Sequence, residues 1–406
     1  MEEGPLGPIR WNNWRPYTIL AHAGANNESR GNFVVTPVVM STTVPTDTCQ
    51  ELALRFEHII EAGRTGGIYV RMGTVNGFEL ECALTGILGC GDTMVFGSGM
   101  AAINAALESF VAAGENIVAH KTLYGCTYDL LTKNYPSNGV EVRLVDLRDP
   151  TVLRGAVDGW TRAVFFETPT NPKLEVIDIA KVAEEVKDRC PVIVDNTFAS
   201  PMGQNPFEYG AHVVVHSLTK SIGGLSQAVG GSVSGSGKYM MDVFSLRTDT
   251  GAILPATEAY TITQGMRTLH VRYKAMEENA IQVAEFLQAQ IGKGVEAVYY
   301  PGLDPRYPFG GQMKGPGYMV SFTLLGDLNM TQAFMNSLEV FIRAVSLGSA
   351  DSYASQPAST THARVPSEAR QEIGILDNFI RLSIGIEYIG DLISDLKQAF
   401  AKVAKL

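Results

Sequence analysis

The sequence lacks the long apolar run that a membrane-spanning helix requires. No stretch approaches the roughly 18 consecutive apolar residues of such a helix. The start, MEEGPLGPIRWNNW, is acidic and contains no apolar segment. We therefore expect neither a membrane span nor a secretory signal.

A block of basic residues is absent as well. The 406 residues carry a formal net charge of −10, so the electrostatic footprint of a nucleic-acid-binding protein is missing. Hydrophobic residues make up 45% and charged residues 18% of the chain, which is typical of a globular enzyme. The length predicts more than one domain.

Cysteine is scarce, and its spacing forms no known motif. The number of cysteines is odd and no Cys-x-x-Cys pair occurs, which argues against a disulfide framework and against a zinc site. We therefore expect a reducing, cytoplasmic compartment and no metal. The five residues are Cys49, Cys82, Cys90, Cys126 and Cys190.

Two nucleotide-binding patterns are also missing. The Walker pattern G-x-x-x-x-G-K-[ST] is absent, because the glycines near Lys220 follow the lysine. G-x-G-x-x-G does not occur after the first apolar runs. A nucleotide-binding Rossmann oxidoreductase, which a parallel sheet alone would permit, therefore has little support.

From about residue 84 onward, short apolar runs alternate with helical patterns. The clearest helix covers 178–189, with Asp178 as its N-cap. Near-continuous apolar strands that alternate with helices predict an α/β fold whose mainly parallel sheet is covered on both faces. The runs are NIVAH (116–120), VEVRLVD (140–146), RAVFFE (162–167), PVIVD (191–195) and AHVVVHS (211–217).

Changes of texture along the chain predict three segments. Residues 1–70 are irregular and indicate an extended N-terminal arm. Residues 71–265 form the large α/β domain. Residues 266–406 form a smaller C-terminal α/β domain, which ends in an amphipathic helix.

Polar residues follow the predicted strands where each strand ends, the edge at which open parallel sheets bind ligands. Each alone has an ordinary explanation, such as a tight turn, an N-cap or a solvated loop lysine. Together they supply an anion-binding helix N-terminus, an acid and an amine. The set comprises Gly99 in the Gly-Ser-Gly turn, Asn171, Asp195, Ser217, Thr219 and Lys220.

Pyridoxal 5′-phosphate is a cofactor that uses all of these groups. Its aldehyde requires a lysine amine, for which Lys220 is the candidate. Its pyridine nitrogen requires a carboxylate, here Asp195. Its phosphate suits the glycine turn with Ser217 and Thr219, and its ring suits an aromatic neighbour, Tyr124.

These residues occur in motifs that resemble the Cys/Met-metabolism family of pyridoxal-phosphate enzymes, the cystathionine γ-synthase and γ-lyase group. The resemblance implies the aspartate-aminotransferase fold (fold type I), with a mainly parallel seven-stranded sheet in the large domain. It extends from about residue 30 to the end of the chain. The motifs are IYVRMG (68–73), FGSGMAAI (96–103), LYGCTY (123–128), ETPTNP (167–172), VDNTFASP (194–201), VVHSLTKSIGG (214–224), RAVSLG (343–348), QPASTTH (356–362) and IRLSIGIE (380–387).

The resemblance also implies roles for the matching positions. Lys220, Tyr124 and Cys126 are the implied catalytic residues, with Lys220 as proton carrier and Tyr124 as acid toward the γ leaving group. Arg381, with Ser346, is implied to bind the substrate carboxylate. The implied cofactor contacts are Tyr69, Arg71, Gly99, Met100, Tyr124, Asn171, Asp195, Ser217, Thr219 and Lys220.

Tyr69 and Arg71 are implied to reach the cofactor phosphate of a neighbouring subunit. An active dimer is therefore obligatory, and the resemblance implies a homotetramer built as a dimer of active dimers. Nucleic acid and membrane are not expected partners.

Within the family, LYGCTY with its Cys126 is most similar to methionine γ-lyases. The sequence therefore predicts α,γ-elimination of a sulfur amino acid, with L-methionine giving 2-oxobutanoate, ammonia and methanethiol. A γ-replacement enzyme, meaning an O-acetylhomoserine sulfhydrylase or cystathionine γ-synthase, shares every core residue. A γ-lyase for cystathionine or another γ-substituted amino acid shares them too. The intact Lys220, Asp195 and Tyr124 weigh against a non-catalytic assembly subunit.

Several positions depart from the family pattern near the expected entrance and side-chain pocket, and they concern substrate choice. They are Val75–Gly77, Leu225, Gln227, Arg247 with Thr248, Gln356 and Thr360.

Overall fold

The computed structural model describes residues 14–23, 33–305 and 311–405. The parts of the predicted arm at 1–13 and 24–32 lie outside these residues. In the described ranges no helix has the length and apolar character needed to cross a membrane.

The strands found in the described ranges fall into two sheets, one of seven strands and one of five. They are β1 (Asp92–Phe96), β2 (Asn116–His120), β3 (Glu141–Val145), β4 (Thr161–Glu167), β5 (Val192–Asp195), β6 (Val213–Ser217), β7 (Gly231–Gly235), β8 (Val295–Tyr299), β9 (Met319–Leu324), β10 (Ile342–Arg343), β11 (Tyr353–Ser355) and β12 (Phe379–Ser383).

The helices of the described chain alternate with the strands of the first sheet and flank those of the second. They are α1 (Pro16–Ala21), α2 (Cys49–Glu57), α3 (Ile59–Arg64), α4 (Val75–Leu88), α5 (Gly99–Glu108), α6 (Gly125–Asp129), α7 (Tyr135–Ser137), α8 (Pro150–Ala156), α9 (Ile179–Val186), α10 (Ser200–Gly203), α11 (Gly237–Thr250), α12 (Ala256–Met266), α13 (Leu269–Gln288), α14 (Leu328–Ser337), α15 (Ser367–Glu372) and α16 (Ile389–Val403).

The chain divides into two compact units. The first comprises Met1–Val111 with Ala211–His270, and the second comprises Ala112–Gly210 with Val271–Leu406. This division by packing differs from the three predicted segments, whose bounds remain a prediction.

The first unit contributes three strands in the order β1–β7–β6, both pairs antiparallel. The central strand, β7, has the sequence GSVSG and is fully buried. Its small residues leave room for helix α5, since a Cβ at Gly231 would collide with the backbone of Ser98. A glycine-rich strand of this kind lacks the apolar signal on which strand prediction depends.

The second unit contributes four parallel strands in the order β3–β2–β4–β5. Every residue of β2 and β5 is buried, as the near-continuous apolar runs predict. Helix α9 begins after Asp178, whose carboxylate accepts the N–H of Lys181 at 3.1 Å, so the predicted N-cap is confirmed.

The five-stranded sheet also belongs to the second unit, in the order β10–β11–β12–β9–β8. Its strands pair antiparallel except β10 with β11. An apolar core that includes Phe322, Phe334 and Leu396 covers one face. The predicted fold class is therefore confirmed: an α/β chain with a mostly parallel central sheet and a smaller C-terminal sheet domain.

Part of the predicted irregular arm is helical. Helices α2 and α3 occupy 49–64, and the side chain of Thr48 caps α2 by accepting the N–H of Glu51. None of the residues of α2 is buried within the chain. Leu52, Leu54 and Phe56 alternate along the sequence, a spacing that does not match the three-to-four-residue repeat of an amphipathic helix, and the helix was missed.

Candidate active site

The glycine turn before α5 brings two predicted phosphate ligands together in the first unit. Ser98 caps the helix by accepting the N–H of Ala101 at 3.1 Å. A Cβ on Gly99 would lie 2.8 Å from the Cβ of Ser217, so only glycine permits the helix N-terminus to approach the end of β6 this closely. The N–H groups of the first turn, including that of Met100, and the Ser217 hydroxyl therefore share one anion-binding corner.

Lys220 lies on the turn that follows β6, three residues beyond the strand. Its N–H donates to the carbonyl of Ser217 at 3.2 Å, and its own carbonyl accepts from Gly224 at 2.8 Å. Thr219 is fixed to the main chain of Gly230, donating to its carbonyl at 3.2 Å and accepting its N–H at 3.0 Å. The turn is thus held at both ends, and the half-buried lysine side chain projects from a rigid backbone.

Tyr69 and Arg71 lie on the surface of the first unit. Arg71 donates to the carbonyl of Thr248 at 2.7 Å, and its guanidinium lies 5.6 Å from the centroid of the Tyr69 ring. Among the described residues Arg71 forms no ion pair. Its exposed charge is therefore held in place and free for an anion outside this chain.

Arg247, a departure from the family pattern, is buried beneath that segment rather than placed at an open entrance. It donates to the carbonyl of Met72 at 2.7 Å and to Glu81 at 2.6 Å. Glu81 also binds Arg64, which pairs with Asp92 at 2.5 Å. Despite the cost of burial, the charges of Arg64 and Arg247 keep the pKa of Glu81 below its ordinary value. Arg247 therefore supports the backbone that carries Tyr69 and Arg71.

The other departures lie in local structure. Val75–Gly77 form the first turn of α4, where Thr74 accepts the N–H of Gly77 at 2.9 Å. Gln356 is buried and donates to the carbonyl of Asp377. Leu225 and Gln227 lie exposed on the turn after Lys220.

In the second unit, β4 and β5 end side by side on two carboxylates. Glu167 and Asp195 are register partners and both are buried, 6% and 9% exposed. Burial raises the pKa of Asp195, although the N–H of Thr197 donates to it at 2.9 Å. Asp195 has no ion-pair partner among the described residues, so a negative charge on this buried carboxylate is not compensated there.

Tyr124 occupies the N-cap position of α6, without a side-chain capping bond, and lies beside the same two strands. Its N–H donates to Glu167 at 2.7 Å. The thiol of Cys126 donates to the Tyr124 hydroxyl at 3.5 Å. Burial and this contact raise the pKa of Tyr124 to about 12, so the phenol is protonated at neutral pH and can donate a proton.

Arg381, on β12, is a buried cation that forms no ion pair among the described residues. It is 3% exposed and donates to Asn171 Oδ1 and to the carbonyl of Ser346, each at 3.0 Å. Its Nε has no partner among the described residues, and burial lowers its pKa to about 10. Ser346 adopts a φ of 105°, a strained conformation for a residue other than glycine, which directs its carbonyl to the guanidinium.

Two residues of the site were quoted in motifs but given no role by the sequence. Glu167 holds the backbone of Tyr124. His362, fully buried, lies 3.2 Å from the carbonyl of Leu123 through Nε2, and burial lowers its pKa to about 4. Glu167 lies in a motif that contains the predicted ligand Asn171, whereas the motif of His362 contains no predicted ligand. A buried acid and a buried histidine have no distinctive spacing in a sequence.

The residues present fit pyridoxal 5′-phosphate. The first unit provides a glycine cradle with a serine hydroxyl and a lysine on a fixed turn. The second unit provides a buried carboxylate and a buried guanidinium, neither of which forms an ion pair within the described part of the chain. The carboxylate suits a protonated ring nitrogen, and the guanidinium suits a substrate carboxylate.

Fold and site together define a pyridoxal-phosphate-dependent enzyme of fold type I. The model of the family described as Cys/Met metabolism PLP-dependent enzyme matches residues 17–401, and the chain belongs to this family. Pyridoxal 5′-phosphate is therefore its cofactor, and the predicted family and cofactor are confirmed.

Relatives of known name extend over nearly the whole chain. An L-methionine gamma-lyase from Treponema denticola is 37% identical over 392 residues, covering 95% of this chain and 96% of that protein. A cystathionine beta-lyase from Lactococcus lactis is 39% identical over 339 residues, covering 82% and 88%. The solved structure of cystathionine gamma synthase from Xanthomonas oryzae in complex with cystathionine is 32% identical, with a TM-score of 0.89 and coverage of 96% and 98%.

Proposed function

We propose that the enzyme catalyses α,γ-elimination of a sulfur amino acid, with L-methionine giving 2-oxobutanoate, ammonia and methanethiol. The observation that carries this proposal is the pair formed by Tyr124 and Cys126, a protonated phenol with a thiol against its oxygen. A proton donor is what a departing thiolate requires, and a soft sulfur neighbour suits a thioether. The relatives named L-methionine gamma-lyase support the same choice of substrate.

The residues assigned to the cofactor are the ones that the family resemblance implies. Lys220 would bind its aldehyde, Asp195 its ring nitrogen and Asn171 its ring hydroxyl, and Tyr124 would be the aromatic neighbour of the ring. The phosphate is bound by Gly99, Met100, Ser217 and Thr219, with Tyr69 and Arg71 from the neighbouring subunit. When bound, the cofactor supplies an electron sink for the negative charge that develops on the amino acid.

The protein's own groups then bind the substrate and move protons. Arg381 orients the substrate by its carboxylate, with Ser346 fixing the guanidinium. Lys220 Nζ, as the neutral amine, removes the Cα proton, and a second proton leaves Cβ. The Tyr124 hydroxyl protonates the departing sulfur, so that methanethiol leaves as the neutral thiol. Cys126 contacts the Tyr124 hydroxyl and borders the side-chain pocket.

We also propose a homotetramer built from active dimers. Helix α2 supports it, because its apolar side chains are not covered by the described part of the chain: Leu52, Leu54 and Phe56 are 41%, 55% and 50% exposed. An apolar surface of this kind is typical of a subunit interface. Light scattering of the purified enzyme should give the tetramer mass, and a monomer with full activity would contradict the proposal.

We place the enzyme in the cytoplasm. The support is chemical, since all five cysteines have free thiols, a state that a reducing compartment maintains.

A substrate panel tests the proposed reaction. The purified enzyme is incubated with L-methionine, L-cystathionine and O-acetyl-L-homoserine, each with and without sulfide, and the products are quantified. Methionine should yield 2-oxobutanoate with the highest kcat/KM. Homocysteine from O-acetylhomoserine and sulfide, with no 2-oxobutanoate from any substrate, would identify a γ-replacement enzyme instead. Preference for cystathionine would redirect the substrate and leave the chemistry intact.

A further inference from the structure

Glu167 contacts two predicted cofactor ligands at once. Its carboxyl accepts the backbone N–H of Tyr124 at 2.7 Å and also interacts with the backbone N–H of Asn171. One buried side chain thus fixes the main chain of a residue assigned to the ring face and of a residue assigned to the ring hydroxyl. Tyr124 and Asn171 are far apart in the sequence.

The same carboxyl lies beside Asp195. The two acids occupy paired positions at the ends of parallel strands β4 and β5, so their side chains point to the same side of the sheet. Both are buried, and no ion pair to either occurs among the described residues. Two buried carboxylates so placed do not both ionise, because like charges at close range repel strongly in a medium of low dielectric.

We propose that Glu167 is the positioning residue for Tyr124 and Asn171, and that it acts as the neutral acid so that the charge of the pair stays on Asp195. This inference rests on the proposed placement of those two residues at the cofactor ring. A single negative charge then faces a single protonated ring nitrogen, while a neutral carboxyl keeps its hydrogen-bond acceptors for the two N–H groups.

The titration behaviour of the groups supports this assignment. Burial and the charge of Asp195 raise the pKa of Glu167 well above its ordinary value. The titratable groups that act on it in the second unit are Asp195 on β5 and Tyr124 before α6, and the latter keeps its proton at neutral pH.

The chain offers a matched control in Asp395 of α16. This carboxylate, also well buried, accepts the backbone N–H groups of Glu339, Val340 and Phe341 at 2.9, 2.8 and 3.0 Å. It differs in charge state, since burial is outweighed by these bonds and its pKa is held below the ordinary value. Asp395 contacts none of the site residues in the described contacts.

The experiment compares E167Q, E167A, D395N and D395A as holoenzymes. Glutamine keeps the acceptor and donor of a neutral acid, so E167Q should retain kcat and cofactor affinity within about threefold. E167A should lower kcat by about tenfold to a hundredfold, the factor expected when the buried N–H of Tyr124 loses its acceptor. KM should change little because Arg381 is intact, and the dissociation constant of pyridoxal 5′-phosphate from the apoenzyme should rise.

The Asp395 variants separate positioning from stability. D395N and D395A should both lower the unfolding midpoint and leave kcat per bound cofactor unchanged. If E167Q loses as much kcat and cofactor affinity as E167A, the proposal that Glu167 acts as a neutral acid is wrong. Unchanged kcat and cofactor affinity in E167A would overturn the positioning role. Cofactor affinity is measured without substrate, so this outcome is independent of whether the enzyme eliminates or replaces the γ group.

Discussion

Replacing Arg381 by methionine should separate stability from catalysis. The guanidinium is buried and its Nε has no partner among the described residues, so the free enzyme carries an incompletely compensated charge. Methionine is apolar and of similar length. Substitution of a buried charge by an apolar side chain is often neutral or stabilising by about 1–4 kcal/mol, because the cost of desolvation disappears.

Two hydrogen bonds oppose that gain. The bonds to Asn171 and to the carbonyl of Ser346 are lost, at about 1 kcal/mol each. We therefore expect the unfolding midpoint of R381M to be unchanged or slightly higher. Differential scanning calorimetry of the holoenzyme measures it directly.

Catalysis should respond in the opposite direction. Removing one partner of a buried, hydrogen-bonded charge pair costs about 2–5 kcal/mol, or about 30-fold to several thousandfold in kcat/KM. The assay is steady-state formation of 2-oxobutanoate from L-methionine. R381K restores the charge without the planar guanidinium and should recover only part of the loss.

A ligand control identifies the carboxylate as the cause. 3-(Methylthio)propylamine is methionine without its carboxylate, and its inhibition constant should be the same for wild type and R381M. A kcat/KM of R381M within about threefold of wild type, or an equal loss of affinity for the amine, would refute the assignment of Arg381.

Three further substitutions test other parts of the site. K220A should lose both the absorbance of the covalently bound cofactor and all turnover, and retained turnover would overturn the role of Lys220. Y124F should lower kcat by about 10²–10⁴-fold. The pKa of Tyr124 is raised to about 12, so its acid form persists as pH rises. The wild-type kcat should therefore show no alkaline decline from this group below about pH 10. R247Q should lower the free energy of unfolding by about 3–5 kcal/mol in a urea titration, because Glu81 loses one of its two cations and the carbonyl of Met72 loses its donor. R247K should retain more of that stability. Equal losses in both variants would contradict the importance of the charged contact of Arg247 with Glu81.

Strands β2, β4, β5 and β6 could be predicted because nearly all of their residues are buried. The run NIVAH coincides with β2, and PVIVD and AHVVVHS each contain a strand that begins one or two residues later. Strand β7 was missed because GSVSG has no apolar side chains except Val233. Tertiary packing against α5 forms this strand, and local sequence does not encode it.

The candidate site was predictable where chemistry demands a rare residue in a set position. Lys220 and Asp195 follow strands at the ligand-binding edge of the sheet, and the glycine at 99 leaves the space that a Cβ would fill. Glu167 was not predictable, since its role depends on the N–H group of Tyr124, 43 residues away in the sequence. The burial of Arg247 was equally hidden, because its partner Glu81 lies 166 residues away.

Deuterium labelling tests the proposed reaction most directly. The enzyme is incubated with L-methionine in D₂O, and 2-oxobutanoate is analysed by NMR while methanethiol is quantified. Elimination across Cα and Cγ turns the Cγ methylene into the terminal methyl group, so this methyl should carry solvent deuterium, with keto acid and thiol formed in equal amounts. A terminal methyl without deuterium, or an absence of 2-oxobutanoate, would contradict α,γ-elimination of methionine by this enzyme.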